Sequence, residues 1–144
     1  MRWILLMLAV ACGHAVTPRP SPSAPAAEQQ GLTVTLEWTA AVDLDLYVTD
    51  PAWGTVYYAR RGGQFGEDAR CLADGPSARW ERARWTRPPS GRYRVGVDFP
   101  EACGPAADSV PYRVIVDLDG VRREIAGTVR LRRRQPLAME FTVP

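Results

Sequence analysis

"LTVTLEWTAAVDLDLYVTDP", residues 32–51, carries two runs of alternating apolar and polar residues with a short break between them. In the first run Leu32, Val34, Leu36 and Trp38 alternate with Thr33, Thr35 and Glu37. In the second, Leu44, Leu46 and Val48 alternate with Asp43, Asp45 and Tyr47. Successive side chains of an extended strand point to opposite faces, so each run reads as a half-buried strand. A helical period of 3.6 would scatter the same apolar residues around the axis. Asp50 stands directly before Pro51, where an aspartate forms an Asx-type turn and ends the second strand.

The alternation recurs downstream. "RYRVGVDF" places Tyr93, Val95, Val97 and Phe99 on one face, and "PYRVIVDL" does the same with Tyr112, Val114, Val116 and Leu118. Asp119-Gly120 accepts the positive φ of a tight hairpin turn. "VRREIAGTVRL" returns with Val121, Ile125, Val129 and Leu131 inward, and "LAMEFTV" closes with Leu137, Met139, Phe141 and Val143. "TVYYA", residues 55–59, adds a shorter strand. Residues 32–144 are therefore expected to form one all-β domain, an antiparallel immunoglobulin-like or jelly-roll-like β-sandwich of about seven strands. Residues 60–91, "RRGGQFGEDARCLADGPSARWERARWTRPPSG", interrupt the pattern and are expected to form one long loop. Irregular segments of that length in a compact domain are commonly functional.

Composition narrows the chemistry. A chain of 144 residues, 46% hydrophobic, suits one ordinary domain with a real core. All 18 basic residues are arginine, and the formal net charge of +2 gives no case for nucleic-acid binding. The absence of lysine removes Schiff-base and Ser-Lys mechanisms. The single histidine, His14, precedes the domain, so no histidine base serves a catalytic triad.

The N-terminus reads as an address. "MRWILLMLAVAC" has one positive charge at Arg2 and an apolar run from Trp3 to Ala11, too short to span a bilayer, which takes ~20 residues. It has the length of a signal-peptide core. "LAVAC" resembles the lipobox of bacterial lipoproteins, which implies a signal peptide over residues 1–11 and lipidation of Cys12. The rival reading is plain secretory cleavage after Ala15. Residues 12–31 then form a linker rich in Pro, Ser and Ala. Both readings place the domain outside the cytoplasm. There the two remaining thiols, Cys71 and Cys103, are expected to form a disulfide. Gly13 after Cys12, by resemblance to lipoprotein sorting, points to the outer membrane of the cell envelope.

The ordered set "VDLDLYVTDPAWGTVYY", "GGQFGEDARC", "ERARW", "PPSGRYRVGVDF" and "VPYRVIVDLDG" resembles the bacterial YfaP-like domain family, over about residues 33–130. Asp43, Asp45, Asp50 and Pro51 match its first element. Gly62, Gly63 and Asp68 match its loop, Glu81 and Trp85 its Glu and Trp, and Gly91 and Tyr93 its strand entry. The resemblance implies an envelope β-sandwich and no particular biochemical activity.

Three site readings follow from the polar residues. Asp43 and Asp45 share one strand face, and Asp68 and Glu81 lie in the segment expected to fold over it. Oxygen ligands gathered this way suit Ca²⁺, the only cofactor the residue set fits. The rival is a solvated strand face with arginine pairing. A carboxylate pair also evokes a hydrolase, but an exposed pair lacks the apolar pocket that keeps one member protonated. Trp53 and Trp80 are the candidate binding aromatics, for a glycan, whereas Trp38 and Trp85 read as core. The run of Arg130, Arg132, Arg133 and Arg134 suits lipid phosphates or an acidic partner, or else a solvated strand end. The expected function is a non-catalytic, membrane-anchored binding or assembly module for an envelope protein or glycan. Its contact surface is expected in the 60–91 segment. A calcium- or carbohydrate-binding accessory domain is the alternative.

Overall fold

The computed structural model describes residues 31–62, 64–67, 71, 79–104 and 108–144. The proposed signal peptide, residues 12–30 of the expected linker with Cys12, Gly63 and Asp68 lie outside them, whereas Gly31 at the linker's end belongs to the domain. The described residues form β1 (Leu32–Trp38), β2 (Val42–Thr49), β3 (Thr55–Val56), β4 (Phe65–Glu67), β5 (Arg79–Trp85), β6 (Gly91–Ala102), β7 (Ser109–Leu118), β8 (Val121–Arg130) and β9 (Arg133–Val143). One sheet has the order β4-β5-β1-β7-β8 and the other β3-β2-β6-β9. All pairings are antiparallel, so the molecule is the expected all-β sandwich.

The core lies where the alternation puts it. Leu32, Val34 and Leu36 of β1, Leu44, Leu46 and Val48 of β2, and Tyr93, Val95, Val97 and Phe99 of β6 are fully or almost fully buried. Trp38 and Trp85 are buried too. The Trp38 indole Nε1 donates to the Val42 carbonyl at 2.9 Å and closes the β1–β2 turn. Trp85 meets Tyr93 edge-on at 5.8 Å, and Tyr93 stacks on Phe141 at 5.3 Å, which ties the two sheets together.

Four expectations need correction. Residues 60–91 contain β4 and β5, so the strands number nine among the described residues rather than about seven. The sequence conceals β5 because Arg79 and Glu81 occupy inward positions beside Ala83 and Trp85, while Trp80, Arg82 and Arg84 face outward. "TVYYA" pairs with β2 only at Thr55 and Val56, after which a bridge between Tyr57 and Arg60 turns the chain back. Leu137 is 51% exposed, because Val95 pairs with Met139 and Val97 with Gln135. Two steps of β6 thus oppose four of β9, and the bulge carries Pro136 and Leu137 out of register. Val121 is 62% exposed, because the tip of the β7–β8 hairpin stands clear of the end of β9. A groove of about 290 Å³ opens between them, lined by Leu118, Val121, Phe141 and Pro144 among others.

The pairing registers define two ends of the sandwich. Gly31, the Asp50–Gly54 loop, the Thr86–Ser90 loop, the Asp119-Gly120 turn and Pro144 gather at the end where the chain enters. The β1–β2 turn, Cys103, Ser109 and the Arg130–Arg133 turn lie at the opposite end.

Candidate functional site

The expected disulfide is present. Cys71 and Cys103 are bonded with Cα atoms 5.2 Å apart. Cys103 follows the last residue of β6, and Ala102 there pairs with Val42 at the start of β2. The bond therefore holds Cys71 at the end of the sandwich remote from chain entry.

Glu81 is the most constrained polar residue nearby. It is wholly buried, and its Oε2 accepts the Leu46 main-chain N–H at 2.6 Å. The cause lies in strand length. β3 covers only Val48 and Thr49 of β2, which leaves the earlier part of that edge without a strand neighbour among the described residues. A buried N–H without an acceptor is costly. The β5 carboxylate reaches across from the other sheet to supply one. Arg79, also buried, donates from Nη1 to the carbonyls of Ala40 at 3.1 Å and Thr39 at 3.4 Å, pinning the β1–β2 turn.

Asp43 and Asp45 point away from the core, as the alternation requires, but the face is not simply solvated. Asp45 is buried at 5% exposure and Asp43 is half-buried. Asp45 pairs in register with Asp98 of β6. Next to them, burial pushes the Tyr47 phenol up to about 12, helped by the negative charges of Asp45 and Asp98. The Arg134 guanidinium, 3.9 Å above the Tyr47 ring, pulls the other way. Tyr57 stacks on the same ring at 5.0 Å. This tyrosine and arginine cluster covers part of the outer face of β2, and the alternation of β2 alone gives no sign of it. The structure thus separates the acidic set: Asp43 and Asp45 lie on the outer face of β2, whereas Glu81 projects from β5 into the interior. Among the described residues no group of three His, Cys, Asp or Glu side chains is placed to hold a metal ion.

The two candidate tryptophans are not brought together. Trp53 sits in the Asp50–Gly54 loop at the chain-entry end and is 72% exposed, with Arg94 stacked 4.4 Å from its ring. Trp80 lies on the outer face of the other sheet, half-buried, under Arg82 at 4.4 Å. A single stacking platform for a sugar does not use both.

The arginine run is placed by the end of β8, the Leu131-Arg132 turn and the start of β9. The Leu131 N–H donates to the Asp108 carbonyl at 3.0 Å and the Arg132 N–H to the Phe99 carbonyl at 2.7 Å, so the turn is pinned at both residues. Arg130, Arg132 and Arg133 are exposed and line an open concavity of about 530 Å³ together with Asp108 and Ser109. None of the three belongs to an ion pair among the described residues, whereas Arg92, Arg94, Arg113 and Arg122 each meet a glutamate. The chain matches no family model, no curated protein and no solved structure.

Proposed function

We propose that this chain is a non-catalytic, lipid-tethered module of the bacterial cell envelope. Its β-sandwich offers the disulfide end to an acidic partner. The observation that carries this reading is the pinned cluster of Arg130, Arg132 and Arg133, which lies at the end opposite chain entry and lacks carboxylate partners among the described residues. Three exposed arginines around one concavity concentrate positive charge there, which an anionic surface would balance. A tether leading to Gly31 would turn this end away from the membrane and toward the rest of the envelope. The lipobox resemblance at Cys12, the likeness to the YfaP-like domain and the Cys71–Cys103 disulfide all agree with an address outside the cytoplasm. The commitment of Glu81 to the Leu46 N–H supports a structural role for this carboxylate rather than one as a calcium ligand.

Site-specific photocrosslinking in intact envelopes tests the reading. A photoreactive residue replacing Arg132 should yield an adduct that disappears when Arg130 and Arg133 are changed to Gln. The same probe at Trp53 should not yield that adduct. An adduct from position 53 alone, or none from position 132, defeats the proposal. Acylation is read separately, from the mass of the mature N-terminus and its change in Cys12→Ser.

A further inference from the structure

Trp53 is held in a costly conformation. Its φ is 65°, in the left-handed region that bulky side chains avoid. The loop around it is fastened on every side. The Asp50 N–H donates to the Gly54 carbonyl at 2.8 Å, and the Trp53 N–H donates to the Asp50 carbonyl at 3.0 Å. The Asp50 Oδ1 accepts the N–H groups of Ala52 at 2.9 Å and Gly54 at 2.8 Å. Glycine or asparagine would sit at position 53 with less strain. A tryptophan there, with 72% of its surface in solvent, gains nothing from the core. The ring's stacking partner, Arg94, lies at the surface as well, and backbone strain that serves no core packing points to a use for the side chain.

The position of the loop identifies that use. Trp53 and Val121, two of the three exposed large hydrophobic residues among the described residues, lie at the end of the sandwich where the chain enters. There Gly31 donates its N–H to the Asp119 Oδ1 at 2.7 Å, while the Asp119 N–H donates to the Gly31 carbonyl at 3.0 Å. These bonds fix the direction of entry against the hairpin tip that bears Val121. The apolar groove between that tip and β9 opens at the same end. From Cys12 the chain reaches Gly31 through residues 13–30, a span of at most ~60 Å when fully extended. A tethered domain within that span meets the bilayer at high effective concentration, so a weak contact is enough.

We infer that the chain-entry end rests on the lipid surface, with the Trp53 indole lying at the interface and Val121 beside it. The inference builds on the tether proposed above and adds an orientation to it. Tryptophan suits the interface because its ring is apolar and its N–H finds polar headgroups. Part of the charge at this end is engaged locally: Asp117 accepts the Gly120 N–H, Glu124 pairs with Arg122, and Glu140 pairs with Arg92 and Arg94. Arg87 and Arg123 are exposed there and can add an attraction for anionic headgroups that salt screens. The Trp53 and Val121 contact itself is apolar and should persist at high salt.

The test uses the full-length lipidated protein in vesicles of phosphatidylethanolamine and phosphatidylglycerol, with or without brominated acyl chains. Brominated lipid should quench part of the tryptophan emission, at low salt and at ~0.5 M salt alike. That part should vanish in Trp53→Phe and fall at least two-fold in Val121→Glu, with near-ultraviolet circular dichroism confirming that both variants stay folded. Equal emission from vesicle-bound protein in plain and brominated lipid overturns the inference. If the mass of the N-terminus shows no acyl group on Cys12, the tether proposal fails by itself. The docking is then decided by adding the same vesicles, at millimolar lipid, to the unacylated full chain. Quenching that depends on Trp53 supports it, and its absence overturns it.

Discussion

Glu81 shows how a single residue can be misjudged from its type. A glutamate between two arginines reads as surface, yet this one is wholly buried and serves the main chain of the other sheet. A charge-assisted hydrogen bond to a buried N–H is stronger than a neutral one, and losing the acceptor exposes the full desolvation penalty of the donor. Glu81→Ala removes the acceptor and leaves a void, so it should destabilise the fold by about 3–4 kcal/mol in urea unfolding. Glu81→Gln keeps a carbonyl oxygen in place and should cost only about 1–2 kcal/mol. Equal losses from the two variants would mean that the hydrogen bond contributes little and that packing alone explains the residue. Trp53 presents the converse case, a residue whose type suggests core but which the loop holds out in solvent.

Elements were legible in the sequence wherever one face is uniformly apolar. β1, β2, β6 and β7 fulfil that condition, and their inward residues are those the alternation picks out. β5 does not, because two of its inward positions are charged and their partners lie 35 to 40 residues away, on β2 and on the β1–β2 turn. No local pattern reports a hydrogen bond made at that separation. β9 was legible as a strand, but a two-residue bulge lifts Leu137 out of the ladder and brings Gln135 opposite Val97, and the alternation gives no sign of it. A compensating glycine can be recognised only afterwards. Gly127 of β8 pairs with Tyr112 of β7, and an added Cβ would lie 2.4 Å from the Tyr112 hydroxyl oxygen. That hydroxyl donates to the Gln135 Oε1 at 2.7 Å, so the ring crosses β8 to join β7 to β9. Gly127→Ala should displace the tyrosine and destabilise by about 1–3 kcal/mol, although alanine normally favours a strand over glycine. Thermal melting checks this, and a neutral or stabilising result would show that the Tyr112–Gln135 link is dispensable.

Across the whole molecule, function-bearing groups are sorted to opposite ends, and the disulfide decides how firmly one end is held. Sequence chemistry alone foresaw the Cys71–Cys103 pair, because two thiols outside the cytoplasm have few other fates. It could not show that Arg130, Arg132 and Arg133 meet no carboxylate among the described residues, since that depends on which carboxylates the fold brings near. The bond spans a sequence separation of 32 and joins an exposed Cys71 to a half-buried Cys103, so a soluble reductant reaches it. Closing a loop of this length stabilises the folded chain by about 3–4 kcal/mol through the unfolded state. Neither cysteine lies in a strand, and neither takes part in the buried cluster that joins the sheets. Reduction should therefore lower the unfolding free energy by that amount, and the urea midpoint with it, while leaving the β-sheet far-ultraviolet spectrum intact at low denaturant. Among amides that exchange by local opening, hydrogen exchange should then rise at the cysteine end, in the β1–β2 turn and around Ala102, and stay unchanged at Gly31 and Asp119 where the chain enters. Uniform acceleration at both ends would mean that the sandwich opens as one unit and that the disulfide is a global staple, not a local clasp on the partner-facing end.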